Sequence, residues 1–308
     1  MNILVTGASG FVGQHLCDHL THNGINTYAL LRTATDGLKV KEQFIVKDFL
    51  NYRGWEKILK GIDVVIHTAG LAHVKGFPDE DYYTINTKMT ELLALGCVKA
   101  GVKRFVHMSS THVHTSSSTT NVLTPQSACH PLTAYGKSKL LAEKTLRDIE
   151  ERMDLEVVIV RPPLVYGPSA AGNIGTLVKA IKKGIPFPFA ATQNQRDMVY
   201  IENLVNALRE CATHPAAKGN TFFVSDDRPL SIGDLIQYLA KGMDRKARLF
   251  YLPEACLRIP LKLIKREEIL EKIIGSFRVD ISGIKETLGW SPPISAEEGL
   301  EITGRSFR

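Results

Sequence analysis

Tyr135 and Lys139 stand four residues apart in a segment of helical pattern, so their side chains share one helix face. A free phenol ionises near pH ~10, too high for acid–base work at neutrality. A neighbouring ammonium favours the phenolate and draws it toward its working range. Ser110, 25 residues earlier and just past an apolar run, supplies a hydroxyl that could hold a substrate oxygen. The pair alone carries little weight. With nine tyrosines and 22 lysines in 308 residues, chance gives roughly 0.6 such pairs. Tyr135-x-x-x-Lys139 is the one that occurs. A second constellation stands at the start of the chain, Thr6-Gly7-Ala8-Ser9-Gly10-Phe11-Val12-Gly13. Three glycines between a strand and a helix permit a tight turn, close approach to a pyrophosphate, and close strand–helix packing. The helix N-terminus then offers unpaired N–H groups to an anion, so the loop predicts dinucleotide binding through Gly7, Gly10, Phe11, Val12 and Gly13.

Alternating elements must position these groups. Ile3–Val5 reads as a strand, Phe11–His22 as a helix stopped by Asn23-Gly24, and Thr27–Leu31 and Asp63–His67 as strands. Asp81–Ala100 reads as a helix, Arg104–Met108 as a strand, Ala134–Arg152 as a long helix, and Val157–Val160 as a strand. Such continuous apolar strands are expected where helices cover both sheet faces, which gives an α/β, doubly wound parallel sheet. Ser110 falls at the carboxyl edge of that sheet, where doubly wound folds place ligands. Past Arg161-Pro162-Pro163 prolines cluster and the strands shorten. Asp197–Ile201 and Phe222–Val224 read as strands there, and Asn203–Ala212 and Ile232–Ala240 as helices. The division expected is residues 1–165, joined by about 197–215, as the dinucleotide domain, and 166–308 as mostly a smaller substrate-binding domain. Leu257–Ile274 is amphipathic and reads as a core-facing helix pair.

Composition excludes several classes. Hydrophobic residues make up 44% and charged residues 23%, which rules out disorder and low complexity. No apolar run reaches membrane-spanning length, and no leader pattern precedes the first strand, so no membrane partner is expected. Five scattered cysteines without a C-x-x-C pair argue against zinc and disulfides and favour a reducing, cytoplasmic compartment. The net charge of +6 splits evenly between residues 1–150 and 151–308, without a dense basic block, and no nucleic-acid partner is expected. His112 and His114 have no third ligand at metal spacing and read as loop residues lining the substrate entrance; no metal is expected.

The Thr-Gly-x-x-Gly-x-x-Gly loop, followed by Ser110 and Tyr135-x-x-x-Lys139, resembles the extended short-chain dehydrogenase/reductase superfamily. Its nucleotide-sugar epimerase/dehydratase branch, with UDP-sugar 4-epimerases and 4-ketoreductases, is the nearest match. Arg161-Pro162-Pro163-Leu164-Val165-Tyr166-Gly167-Pro168, Arg196-Asp197-Met198-Val199 and Leu288-Gly289-Trp290-Ser291-Pro292 resemble further segments of that branch, so the likeness runs from Ile3 to Thr303. It implies a Rossmann-type sheet with a smaller α/β sugar-nucleotide domain. It also implies Tyr135 as acid–base, Lys139 as the group that lowers its pKa and holds a ribose, and Ser110 orienting the sugar oxygen. Asp48 and Phe49 would lie beside the adenine, and Ala69, Gly70 and Pro162 against the cofactor. Thr111, Asn173 and Arg196 would contact the substrate, Arg196 at its diphosphate. Leu164 stands where many relatives carry Asn, and the residues after Ser110 are Thr111 and His112 rather than an acidic pair, which argues against dehydration.

The cofactor implied is NADP or NAD. No carboxylate follows the second strand, and Arg32 there could pair with a 2′-phosphate through its planar fork, which tilts the reading to NADP and to a 4-ketoreductase. A 4-epimerase retaining NAD is the alternative. A non-catalytic NADP-binding regulatory protein is the alternative of another class. A homodimer through the helices Asp81–Ala100 and Ala134–Arg152 is implied by resemblance.

Overall fold

The computed structural model describes the chain except residues 73–75, 116, 117, 120, 171, 254, 257, 259–270 and 272. Seven parallel strands make the central sheet: β1 (Asn2–Thr6), β2 (Asn26–Leu31), β3 (Glu42–Ile45), β4 (Val64–His67), β5 (Arg104–Met108), β7 (Glu156–Arg161) and β10 (Thr221–Phe223). Their spatial order is β10-β7-β5-β4-β1-β2-β3, with β6 (Val122–Leu123) outside this sheet. The order reverses direction between β1 and β4, the switch point at which such sheets bind ligands beyond their carboxyl ends. Strands β1, β4, β5 and β7 are almost wholly buried because helices cover both faces.

Helices α1 (Phe11–His22) and α7 (Ile201–Thr213) pack on one face. Helices α2 (Trp55–Leu59), α4 (Met89–Ala100) and α5 (Ala134–Arg152) pack on the other. The Phe11–His22, Arg104–Met108 and Ala134–Arg152 boundaries agree with expectation. The helix expected over Asp81–Ala100 is instead α3 (Asp79–Tyr83) joined to α4 by a π turn at Thr84–Lys88. One residue's worth of slip in the hydrogen-bond ladder re-aims Asn86, and π turns of this kind concentrate at functional sites.

The smaller layer holds β8 (Leu164–Tyr166) paired with β9 (Met198–Tyr200), together with α6 (Gly172–Lys182) and α8 (Ile232–Gly242). The helix Ala296–Arg305 packs on α8, where Gly304 admits the Leu239 carbonyl that a Cβ would strike at 2.3 Å. The expected strand near Phe222–Val224 forms at Thr221–Phe223 and joins the large sheet, pairing with β7. The amphipathic stretch 257–274 falls mostly outside the described residues.

Tyr166 stitches the layers together. Its hydroxyl donates to Asp226 at 2.7 Å, and the same carboxylate accepts from the Tyr200 N–H and from Asn203 Nδ2, each at 2.8 Å. No helix of the described residues is long and apolar enough to cross a membrane.

Candidate active site

The phosphate loop forms as the glycines require. Gly7 takes φ +71°, and a Cβ there would lie 2.7 Å from the Ala69 amide nitrogen, so the turn after β4 seats directly against it. A Cβ on Gly13 would sit 2.1 Å from the Gly7 carbonyl oxygen, which holds α1 close to β1. Gly10 is the N-cap of α1; no side chain caps this end and no acid occupies its first turn. The first-turn N–H groups and the positive end of the helix dipole are thereby left for an anion, an arrangement that fits a dinucleotide pyrophosphate.

A hydrogen-bond relay of fixed polarity ties this loop to the neighbouring turn. The Ala69 N–H donates to Thr6 Oγ1 at 3.3 Å, and Thr6 lies 2.7 Å from His67 Nδ1. His67 Nε2 lies 2.9 Å from Thr90 Oγ1, whose hydroxyl donates to the Asn86 carbonyl at 2.7 Å. Because Thr90 spends its proton on Asn86, it must accept from His67; Nε2 therefore carries the hydrogen and Nδ1 accepts from Thr6. Burial, reinforced by Lys139, pushes the His67 pKa down to about 3 and keeps the ring neutral. The Asn86 side chain completes the clamp, accepting from the Leu71 N–H at 2.7 Å and donating to Ser138 Oγ at 3.0 Å. Neither His67 nor Asn86 was expected from the sequence. Asn86 reads in the sequence as one more helical residue, and its burial shows only in the structure.

The candidate catalytic groups converge at the ends of β5 and α5. Ser110 caps a short 3₁₀ turn at Thr111–Val113, accepting from the His112 N–H at 3.2 Å. Thr133 caps α5 by accepting from the Gly136 N–H at 3.2 Å. Gly136 has no room for a side chain, since a Cβ would meet the His112 carbonyl oxygen at 2.3 Å. That close approach brings half-buried Tyr135 beside the turn, hydrogen-bonded to Ser110, with its ring edge-on to His112 at 5.6 Å. Burial raises the Tyr135 pKa and the Ser110 hydrogen bond opposes the rise.

Lys139 is buried one turn further along, its ammonium donating to the Met108 carbonyl at 2.8 Å and facing Gly70. Burial pushes its pKa down to about 8 while the Glu143 carboxylate pulls it up. Glu143 forms a buried ion pair with Arg161, with Nε donating at 3.0 Å, and also accepts from Ser109. Arg161 extends the network to His114 Nε2 at 2.9 Å and to the Pro125 carbonyl at 3.1 Å. His114 is thus an inward-facing partner of Arg161, not a lining of the substrate entrance: burial, and then the guanidinium charge, lower its pKa and leave Nε2 free to accept.

The remaining expected residues spread around this centre. The Pro162 carbonyl accepts from the Thr111 N–H at 3.1 Å, joining the loops after β5 and β7. Arg32 is exposed at the end of β2. Asp48 is exposed and bound by the Asn51 backbone and side chain, which lower its pKa. The Phe49 ring is buried against Trp55, so toward a ligand this residue presents backbone rather than ring. Asn173 is exposed in the first turn of α6. Arg196 is held by backbone bonds to Leu230, and burial lowers the pKa of its guanidinium. Among the described residues no cluster of His, Cys, Asp or Glu could hold a metal ion.

The profile of the NAD dependent epimerase/dehydratase family matches residues 3–224, and the chain belongs to that family. It is 35% identical over 315 aligned residues to the UDP-glucose 4-epimerase of Vibrio cholerae, covering 99% of this chain and 95% of that one. It is 27% identical to the N-acetyl-alpha-D-glucosaminyl-diphospho-ditrans,octacis-undecaprenol 4-epimerase of Escherichia coli O157:H7, covering 89% of this chain and 81% of that one. Among solved structures, the UDP-glucuronic acid 4-epimerase of Bacillus cereus in complex with NAD superposes with a TM-score of 0.81 at 25% identity, covering 100% of this chain and 98% of that one. The chain is accordingly an enzyme of a nucleotide-sugar family that uses a nicotinamide cofactor.

Proposed function

We propose that the protein is a 4-epimerase of a UDP-linked hexose or N-acetylhexosamine. The observation that carries this reading is the likeness, across nearly the full length of both chains, to a UDP-glucose 4-epimerase. When bound, the nicotinamide would accept hydride from C4 of the sugar and return it to the opposite face.

The chain's own residues divide the remaining work. The phenol of Tyr135 takes the proton of the C4 hydroxyl and gives it back, with Ser110 holding that oxygen in line. The Lys139 ammonium stabilises the phenolate side of this exchange and reaches the ribose hydroxyls past Gly70. Gly7, Gly10, Phe11, Val12 and Gly13 hold the pyrophosphate, with Ala69, Gly70 and Pro162 against the nicotinamide half and Asp48 and Phe49 against the adenosine. Thr111 lines the sugar pocket. Asn173 and Arg196 bind the substrate diphosphate, which suits a forked guanidinium. In this reading residues from about 166 onward, apart from β10 and α7, form the sugar-nucleotide side. Leu141, exposed on α5, supports pairing of two copies through that helix.

A single-direction 4-ketoreductase is the second reading, and it rests on exposed Arg32 at the end of β2 with no carboxylate in its place. Denaturing the purified protein and identifying the released nucleotide separates the two. Stoichiometric NAD, with interconversion of UDP-glucose and UDP-galactose or of their N-acetyl forms, supports the epimerase. An empty protein that consumes NADPH only with a 4-keto sugar nucleotide overturns it.

A further inference from the structure

The even division of charge between the halves of the chain conceals a concentration. Residues 245–253 hold three basic side chains, Arg245, Lys246 and Arg248, and no acid. Arg245, Lys246 and Arg248 of this stretch are described and exposed.

The fold adds to them. The Phe187 N–H donates to the Arg248 carbonyl at 2.7 Å, and the Phe250 N–H donates back to Phe187 at 3.0 Å. This ladder lays Arg248 over Gly184, whose carbonyl accepts from its guanidinium at 3.3 Å, next to exposed Lys182 and Lys183 at the end of α6. Three apolar side chains stand out of the same ladder: Ile185 at 45% exposure, Phe250 at 44% and Tyr251 at 68%. Their neighbours Phe187, Phe189 and Leu249 turn inward to the core, so the exposure is not a fraying of the ladder.

We propose that this face docks the protein peripherally on an anionic lipid bilayer. Exposed cations beside protruding aromatic and aliphatic side chains match the two parts of such a surface, the anionic headgroups and the acyl boundary beneath them. A second copy is a poor occupant, because a two-fold contact would set the same cations against one another. A single-stranded nucleic acid would use the aromatic rings and the charges but has no use for protruding Ile185. Lys182 and Lys183 close α6 at the end opposite Asn173, which opens it.

The test is flotation of the full-length protein with phosphatidylcholine vesicles, with and without about one-third phosphatidylglycerol, at low and high salt. The proposal expects at least tenfold more protein on the anionic vesicles, lost at high salt as screening requires. The Lys182→Glu, Lys183→Glu, Lys246→Glu variant should lose that preference. Phe250→Ser with Tyr251→Ser should weaken binding severalfold while keeping its salt dependence. Phe250→Trp should shift its emission to the blue on vesicles. Unaltered thermal melting establishes that each variant is folded. Equal recovery on neutral and anionic vesicles overturns the proposal. So does an oligoribonucleotide that displaces the protein from vesicles and binds the Phe250, Tyr251 variant as tightly as the wild type.

Discussion

Lys139 and Glu143 occupy successive turns of one buried face of α5, an acid placed to keep a proton on a base from which burial would strip it. The same carboxylate neutralises Arg161 and accepts from Ser109, the residue before Ser110. One side chain therefore sets the charge state of Lys139 and the position of the strand end that carries the substrate-holding hydroxyl.

Removing that charge has a definite sign. Glu143→Gln withdraws the influence that raises the Lys139 pKa, so that pKa falls from about 8 and the ammonium loses its proton at lower pH. The alkaline limb of the kcat/KM profile should move toward acid, a shift that a merely structural role would not produce. Glu143→Ala also strands buried Arg161 and should destabilise the fold by about 3–5 kcal/mol, read in urea.

Tyr135→Phe deletes the acid–base oxygen and keeps the ring packed near His112 and Tyr82. Turnover should fall by about 10²–10⁴ with cofactor binding retained, as measured by steady-state rates and by titration of the nicotinamide. If turnover survives, the phenol is not the acid–base.

Arg32 is exposed just past the end of β2, and the proposed NADP reading gives its guanidinium an adenosine 2′-phosphate as partner. Arg32→Asp should shift the ratio of NADP to NAD affinity toward NAD by about tenfold or more, since a carboxylate accepts from ribose hydroxyls and repels phosphate. Binding isotherms for the two nucleotides check this, and an unchanged ratio removes Arg32 from the cofactor site.

Asp226 and Asp197 are buried carboxyls, each with a pKa pushed up to about 6. In the unfolded chain they titrate near ~3.9. The folded state therefore holds more protons between these values, and the contribution of this pair to stability is full below about pH 4 and lost as pH rises through about 6. Urea midpoints from pH 5 to 7 should fall more steeply in the wild type than in Asp197→Asn with Asp226→Asn.

The parts of the fold that were legible are those written in local pattern. The helix at Ala134–Arg152 follows from its amphipathic period, and the phosphate loop from glycines whose missing Cβ atoms the structure accounts for individually. Tyr135 and Lys139 were legible because four residues is one helical turn. What escaped notice depends on partners distant in sequence. Arg161 pairs with Glu143 across 18 residues, and that pairing turns His114 inward. The π turn changes hydrogen-bond register without changing hydrophobic period, so Asn86 reads as one more helical residue. A strand at Phe222 is visible in its apolar run, but the run does not reveal which sheet will receive it.

That last strand bears on how the molecule is made. β7 is apolar and buried between β5 and β10, and β10 is the final strand to join the large sheet. Until residue 223 has been synthesised and folded, the growing chain presents the open edge of β7, a row of unpaired amides flanked by apolar side chains. A fragment that keeps the glycine loop, Ser110, Tyr135 and Lys139 but ends before Thr221 would hold the groups proposed for catalysis and still be prone to edge-to-edge aggregation.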